Sequence, residues 1–219
     1  MKKTVLLVVV SAALASLVSC GSSPKTQDPQ AARRQAIANS APIRTEPAQR
    51  PAWVDETPKD SKVQYFVGMG NRQYSVNEAR NAAYEDARRQ LVDYYGTVMV
   101  NKGREYTATL GLSSETFDPQ TIGQRLNERI AQNVSQALGD WVFFTQVYFD
   151  DVKSTEAYVV AVRGEVAKSI VARTIDTFGQ EQAADLKKQA AAAQDAVRRQ
   201  QLEKAAEFFG GNLSSTLGL

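Results

Sequence analysis

The 219-residue chain contains no histidine and only one cysteine, Cys20. Without histidine there is no imidazole for acid–base catalysis and none to bind zinc or haem iron. A single cysteine also leaves no partner for an intramolecular disulfide. These absences argue against redox and transition-metal roles, and the sequence predicts no cofactor, no metal site and no catalytic residue.

Long apolar runs are equally scarce, because the one extended run lies at residues 4–17. It is shorter than the ~20 residues that a membrane-spanning helix needs. Lys2 and Lys3 precede this run, and small residues follow it. This order predicts a secretory signal peptide over residues 1–19.

Residues 17–20 read Leu-Val-Ser-Cys and resemble the lipobox of bacterial lipoproteins. The resemblance implies that the leader is removed before Cys20, whose sulfur then carries diacylglycerol and whose amine is acylated, for example with palmitate. Several acyl chains, at ~0.8 kcal/mol per buried methylene, make attachment to a membrane durable. Gly21 in place of aspartate implies the outer membrane. The alternative is an ordinary signal peptide that happens to contain a cysteine.

Charge and composition describe what would follow the leader. Cleavage removes Lys2 and Lys3 from the 26 basic side chains, so 24 remain against 24 acidic ones. A net charge near zero argues against electrostatic capture of nucleic acid. Residues 20–51 contain most of the prolines and few large apolar side chains. We therefore expect a flexible tether with an end-to-end distance of about 30 Å, which lets the folded part stand off the membrane.

The first half of the folded region shows a strand followed by helices. Residues 63–68 are β-branched and aromatic, which predicts a strand. The capping-box spacing from Ser75 to Glu78 predicts a helix that ends at Gly96, and residues 97–100 predict a second strand. Residues 101–117 are ambiguous between strand and loop. A capping aspartate and a following proline begin a further helix that the apolar spacing extends over residues 119–139.

The second half predicts a β-hairpin and more helix. Aromatic and β-branched runs at 141–149 and 157–162 flank a polar loop. A helix is expected over 166–178, and the alanine-rich and glutamine-rich residues 180–210 predict a protruding or loosely packed helix before a tail at 211–219. The predicted fold is α+β, with a small, largely antiparallel sheet that carries helices on one face, in a domain spanning 52–179.

The motifs of residues 51–100 are similar to a known family. They are Pro-Ala-Trp-Val at 51–54, Tyr-Phe-Val-Gly-Met-Gly at 65–70 and Glu-Ala-Arg at 78–80. Together with the lipobox they resemble the lipoprotein-twenty family of bacterial surface lipoproteins, which includes Helicobacter-type members and has flagellar-motor relatives. The resemblance implies a compact α+β envelope domain without catalytic residues, and it identifies no partner.

The hairpin carries the candidate interaction surface. Its aromatic side chains are Trp141, Phe143, Phe144, Tyr148 and Phe149. A small sheet with helices on one face does not have enough interior for all of them, and exposed apolar patches mark partner surfaces. The alternative is that they belong mostly to the core.

Two other patterns have competing interpretations. Gly68-Met69-Gly70 invites a phosphate-binding interpretation, but the third glycine of the dinucleotide pattern is replaced by Gln73, so a tight turn is favoured. The acidic residues Asp150, Asp151 and Glu156 could bind calcium, but a soluble hairpin loop accounts for them.

Together these patterns predict a non-catalytic lipoprotein of the outer membrane. It would be an envelope scaffold or interaction module, attached to the membrane through Cys20, with envelope proteins or further copies of itself as candidate partners and no nucleic acid. The first alternative is a periplasmic module that binds a ligand or peptidoglycan, with residues 68–73 as its site. A histidine-free hydrolase is the remaining alternative, and no residue pair supports it well.

Overall fold

The computed structural model describes residues 41–219, which form one compact unit. The predicted α+β class is confirmed, with an antiparallel sheet and helical remainder. Short 3-10 turns lie at Ala52–Val54 and Ser135–Ala137. In chain order the strands and α-helices are β1 (Arg44–Glu46), β2 (Val63–Met69), α1 (Val76–Leu110), α2 (Pro119–Asn133), β3 (Gly139–Asp150), β4 (Thr155–Ala167), α3 (Lys168–Ala192), α4 (Ala196–Gly210) and α5 (Leu213–Thr216).

The sheet has the strand order β1-β3-β4-β2, and every neighbouring pair is antiparallel. The predicted hairpin is confirmed as β3 and β4, with Phe144 opposite Ala161 and Phe143 opposite Val162. Side chains alternate between the two faces of a strand. Val160, Val162 and Val166 therefore share the face that packs into the main core, which we call the helix face. Phe144 and Ala161 lie on the opposite face, which we call the second face.

The helix face is covered by α1, which packs on β2 and β4. Ala79, Ala83 and Ala87 of this helix are completely buried. A Cβ on Gly68 of β2 would lie 2.1 Å from the carbonyl oxygen of Ala83. The strand and the helix are in backbone contact at this point, which is possible only because both sequences supply very small residues there.

Helix α1 runs 35 residues, so the predicted end at Gly96 and the predicted strand at 97–100 are wrong. The buried residues recur at every fourth position from Ala79 to Gly103. Because an α-helix has 3.6 residues per turn, each four-residue step rotates the buried stripe by about 40°. The stripe therefore winds around the helix, which packs on the sheet in its first half and on α2 in its second. The residues left undecided at 101–117 divide into the end of α1 and a loop.

Helix α2 starts where the sequence predicted. The Asp118 carboxylate accepts hydrogen bonds from the backbone N–H groups of Gln120 and Thr121 at 3.1 and 3.2 Å. The α-helix ends at Asn133 and the 3-10 turn carries the chain on towards β3. A Cβ on Gly96 would lie 1.8 Å from Oδ1 of Asn127. Gly96 thus allows α1 and α2 to approach closely, and it does not end the helix as its position had suggested.

The C-terminal region is packed into the core, so the expected protruding or loosely packed helix is wrong. The chain forms α3, breaks at residues 193–195, and returns as α4, which packs along α3. The Asp195 carboxylate caps α4 by accepting from the backbone N–H of Arg198 at 2.7 Å. Phe208 and Phe209 contact Phe117 through their rings. This aromatic cluster holds α4 against the rest of the domain.

The last residues belong to the same core. Leu213 and Leu217 are buried, although both lie in the expected tail. The Asp176 carboxylate of α3 accepts from the backbone N–H and the hydroxyl of Ser214, at 2.8 and 3.0 Å. Helix α5 is thereby tied to α3.

Both ends of the outer edge of β2 are occupied by carboxylates. Asp60 accepts a hydrogen bond from the backbone N–H of Val63 at 2.9 Å. Asp86 of α1 accepts from the N–H of Met69 at 3.0 Å, and Arg89 in turn donates to Asp86. Two N–H groups that would otherwise point outward from the sheet are therefore already paired.

Candidate interaction surface

The five predicted aromatic residues do not form one exposed surface. Trp141 and Phe143 are half-buried on the helix face, where Tyr84 contacts both rings edge-on at 4.5 and 5.5 Å. Phe144 and Tyr148 are buried, so their prediction as surface residues is wrong. Phe149 remains 47% exposed at the end of β3.

Phe144 is buried because the second face has a cover of its own. The 3-10 turn at Ala52–Val54 lays Trp53 and Val54 over Phe144 and Ala161, and these four residues form a separate small apolar cluster. The sequence predicts a sheet with helices on one face and predicts no cover for the opposite face. A segment that precedes the whole sheet closes it, and no local pattern in the hairpin could show this.

Arginine side chains complete this cover by stacking on the aromatic rings. The guanidinium carbon of Arg50 lies 5.4 Å from the ring centre of Phe144, and that of Arg72 lies 4.0 Å from that of Tyr148. A guanidinium is attracted to the face of an aromatic ring and also shields it from water. The second face therefore carries guanidinium groups over an aromatic layer, a pattern with no local signal in the sequence because its residues are far apart in the chain.

Arg163 occupies the middle of this face. Its guanidinium carbon is 5.1 Å from the ring centre of Tyr65 and 6.0 Å from that of Trp53. Its Nε is buried and has no hydrogen-bond partner among the described residues. Arg163 as a whole is only partly buried, so a carboxylate that reached the rest of its guanidinium would gain a charge-assisted hydrogen bond.

Exposed apolar side chains surround Arg163. Val142 of β3 lies directly across the strand pair from Arg163 and is 38% exposed. Met69 at the end of β2 is 48% exposed. We call Tyr65, Met69, Val142 and Arg163 the arginine patch, a cation in an apolar setting of the kind found at the centre of protein interfaces.

The acidic residues of the hairpin loop are engaged with protein groups. The buried Asp150 carboxylate accepts from the hydroxyl of Tyr74 at 2.6 Å, and this bond lowers the pKa of Asp150 below its ordinary value. The Glu156 carboxylate accepts from Tyr158 and from Arg44, at 2.8 and 2.7 Å, which also lowers its pKa. Among residues 41–219 no three His, Cys, Asp or Glu side chains are grouped as metal ligands.

The segment Gly68-Met69-Gly70 has a packing role. A Cβ on Gly70 would lie 2.5 Å from the carbonyl oxygen of Ala79, as one on Gly68 would contact Ala83. Neither glycine has a positive φ. Among the described glycines, a positive φ occurs at Gly111 and Gly218. The two glycines therefore admit α1 to the sheet, and the favoured interpretation as a tight turn is wrong.

The chain has no match among known proteins, and the described part has no membrane-spanning helix. No family model, curated protein or solved structure matches the chain. Within residues 41–219 no helix combines the length and apolarity needed to cross a bilayer. The predicted lipidation residue Cys20, the signal peptide and the tether up to residue 40 lie outside the described residues.

Proposed function

We propose that this protein is a non-catalytic lipoprotein of the outer membrane, attached through acylated Cys20, whose domain is an interaction module of the cell envelope. The observation that carries the proposal is the position of the only cysteine, at the end of the leader and 21 residues before the first described residue, Ala41. The likeness to the lipoprotein-twenty family supports the same assignment.

The arginine patch is the proposed contact surface of this module. Arg163 supplies a partly buried guanidinium, and Val142 and Met69 on the neighbouring strands supply exposed apolar area. Arginine and aromatic groups dominate the energetics of interfaces when they are shielded from water. We therefore expect an envelope protein that presents a carboxylate flanked by apolar side chains.

The anchor is tested by metabolic labelling with an alkyne fatty acid and by membrane fractionation. The wild-type protein should incorporate the label and sediment with outer membranes. Cys20→Ser should incorporate none and leave the membrane fraction. A Cys20→Ser protein that stays with the membrane as firmly as the wild type would overturn the lipid-anchor proposal.

The contact surface is tested separately by photo-crosslinking in living cells. A photoreactive residue at Val142 should capture a defined envelope protein, and Arg163→Gln should reduce the yield several-fold. The matched control is Val197 of α4, which is 65% exposed and far from Arg163 in the chain. Equal capture from both positions would refute the arginine patch, and capture of a second copy would instead show a homo-oligomer.

A peptidoglycan-binding module is the second candidate, and Arg163 is the observation that favours it. Its guanidinium carbon lies 5.1 Å from the ring centre of Tyr65, so it could bind a stem-peptide carboxylate beside an aromatic ring. Purified cell wall should then sediment the wild-type domain but not Arg163→Gln. If neither protein sediments with the wall, this candidate fails.

A further inference from the structure

Exposed apolar side chains gather at the turn between β3 and β4. The largest exposures belong to Val152 in the turn itself, at 67%, and to Ile43 beside it, at 58%. Phe149 and Tyr74 are 47% and 43% exposed. We call these four residues the hairpin tip. They account for four of the nine large apolar residues that are exposed in the described chain.

Hydrogen bonds and ring contacts place these side chains together. The backbone N–H of Ile43 donates to the carbonyl oxygen of Val147 at 2.8 Å, which fixes Ile43 beside the end of β3. The hydroxyl of Tyr74 donates to Asp150, the last residue of that strand. The ammonium of Lys153 lies 3.8 Å from the ring centre of Tyr74. The tip is therefore a built feature with an aromatic ring and a lysine at its edge.

The described chain starts at this same place. Ala41 is two residues before Ile43, and the strand β1 that follows pairs with β3. A flexible coil over the 21 positions from Cys20 to Ala41 would span about 25 Å on average. Once Cys20 is acylated, the anchor and Ala41 are 21 positions apart in the chain, and the described chain begins beside the hairpin tip.

We infer that the hairpin tip rests in the headgroup layer of the membrane that holds the anchor, which gives the domain a fixed orientation on the lipid surface. This inference rests on the proposed lipid anchor. Apolar side chains with tyrosine and lysine at their edge are the usual composition of groups that enter this layer to a depth of ~5–10 Å.

The charged residues around the hairpin tip indicate which type of lipid surface it would contact. Acidic side chains outnumber basic ones around the tip, which carries Arg44 and Lys153 against Glu46, Asp150, Asp151 and Glu156. The contact is therefore apolar, and it should not strengthen as anionic lipid increases. A bilayer rich in zwitterionic phosphatidylethanolamine is the surface that fits.

The orientation has a consequence for the arginine patch. Val142 precedes Asp150 by eight residues on β3, a distance of about 27 Å along a strand. With the tip in the headgroups, Arg163 and Val142 stand well clear of the bilayer. A partner would then meet the patch in the aqueous space.

The test measures the depth of two labelled positions in the acylated, full-length protein. Acylation blocks the thiol of Cys20, so Val152→Cys and Val197→Cys each supply a single reactive thiol for an environment-sensitive fluorophore. In vesicles of phosphatidylethanolamine with a minor share of phosphatidylglycerol, headgroup nitroxide lipids should quench the label at 152 several-fold more than that at 197. Equal quenching at both positions would overturn the inference.

A second preparation separates failure of the tip from failure of the anchor. A Cys20→Ser chain with an N-terminal histidine tag is captured on the same vesicles by a nickel-chelating lipid, with the label again at 152 or 197. Stronger quenching at 152 supports the tip even if Cys20 proves not to be acylated. If Phe149→Ser leaves the quenching at 152 unchanged in both preparations, the apolar tip is not the contact and the inference fails.

Discussion

The two faces of the sheet are closed by different kinds of chemistry. On the helix face, Gly68 and Ala83 bring strand and helix into backbone contact, and the core beside them contains buried aliphatic and aromatic side chains. On the second face, Trp53 and a set of arginines lie over the rings of Phe144 and Tyr148. The first closure depends on the absence of side-chain volume, and the second depends on long, adaptable side chains.

This difference separates stability from recognition. Close contact between backbones tolerates almost no change in volume, because the neighbouring atoms cannot move aside. A stacked guanidinium can shift and rejoin its ring at small cost. The helix face is thus suited to hold the fold, and the second face is suited to meet a partner.

The largest effect is expected from Gly68→Ala on the helix face. The added Cβ would lie 2.1 Å from the Ala83 carbonyl oxygen and 2.4 Å from the Ala87 backbone nitrogen. Helix α1 would have to move off the sheet, so we expect a loss of about 3 kcal/mol in the free energy of unfolding. Urea denaturation followed by circular dichroism measures this loss. Gly139→Ala is the matched control, because its Cβ would meet nothing within 4 Å, and an equal loss in both variants would contradict the close-contact account.

An opposite effect is expected from Tyr95→Phe. Tyr95 is 1% exposed, and its hydroxyl has no hydrogen-bond partner among the described residues. Removing a buried, unpaired hydroxyl should raise the free energy of unfolding by about 1 kcal/mol. Burial raises the pKa of Tyr95, so the fold loses stability above about pH 10, where this hydroxyl ionises in the unfolded chain and stays protonated in the folded one.

Tyr95→Phe should therefore also reduce the loss of stability in alkali. The neighbouring Tyr94→Phe is the control, since Tyr94 is 52% exposed. Thermal unfolding between pH 8 and pH 11 compares the two variants. A Tyr95→Phe protein that is no more stable than Tyr94→Phe would show that the hydroxyl is solvated.

The smallest effect is expected on the second face, from Arg50→Gln. Arg50 donates to both Asp55 carboxylate oxygens, at 2.7 and 2.9 Å, and so lowers the pKa of Asp55. Because the carboxyl pKa is lower in the folded chain, the ion pair stabilises the fold at pH values above the carboxyl pKa of the unfolded chain, which is about 3.9. This stabilisation is lost as the pH falls through the carboxyl pKa of the folded chain. In Arg50→Gln the pKa of Asp55 should rise towards its ordinary value, with little change in melting temperature near neutral pH because the pair is exposed.

Carboxyl chemical shifts measured by NMR against pH follow this change directly. Arg104→Gln, on an exposed part of α1, provides the control and should leave the pKa of Asp55 where it was. If the pKa of Asp55 is the same in wild type and Arg50→Gln, the ion pair is not formed in solution.

The elements that the sequence predicted are those whose signals are local. Asp118 and Pro119 define the start of α2 by their own chemistry, and alternating side chains with a polar loop define the hairpin. Ser75 does precede α1, although its hydroxyl makes no capping hydrogen bond. Each of these signals lies within a few residues of the feature that it predicts.

The elements that were missed depend on residues far apart in the chain. The sequence predicts a strand at 97–100 and is ambiguous from residue 101 onwards, because the buried stripe of α1 winds away from the sheet there and meets α2, which only the folded structure brings to it. The hairpin sequence leaves Phe144 and Tyr148 between a surface and a core interpretation, because their cover comes from Trp53, Arg50 and Arg72. The arginine patch could not be predicted for the same reason.

The carboxylates at the edge of β2 influence how copies of this protein can meet. With Asp60 and Asp86 bonded to the backbone at its two ends, that edge offers no continuous row of donors to another strand. Extension of the sheet from one molecule into the next, the first step towards fibrous aggregates, is disfavoured there even at the high local concentration of a crowded lipid surface. An assembly that uses this side of the domain has to be built from side-chain contacts, which can be tuned and reversed.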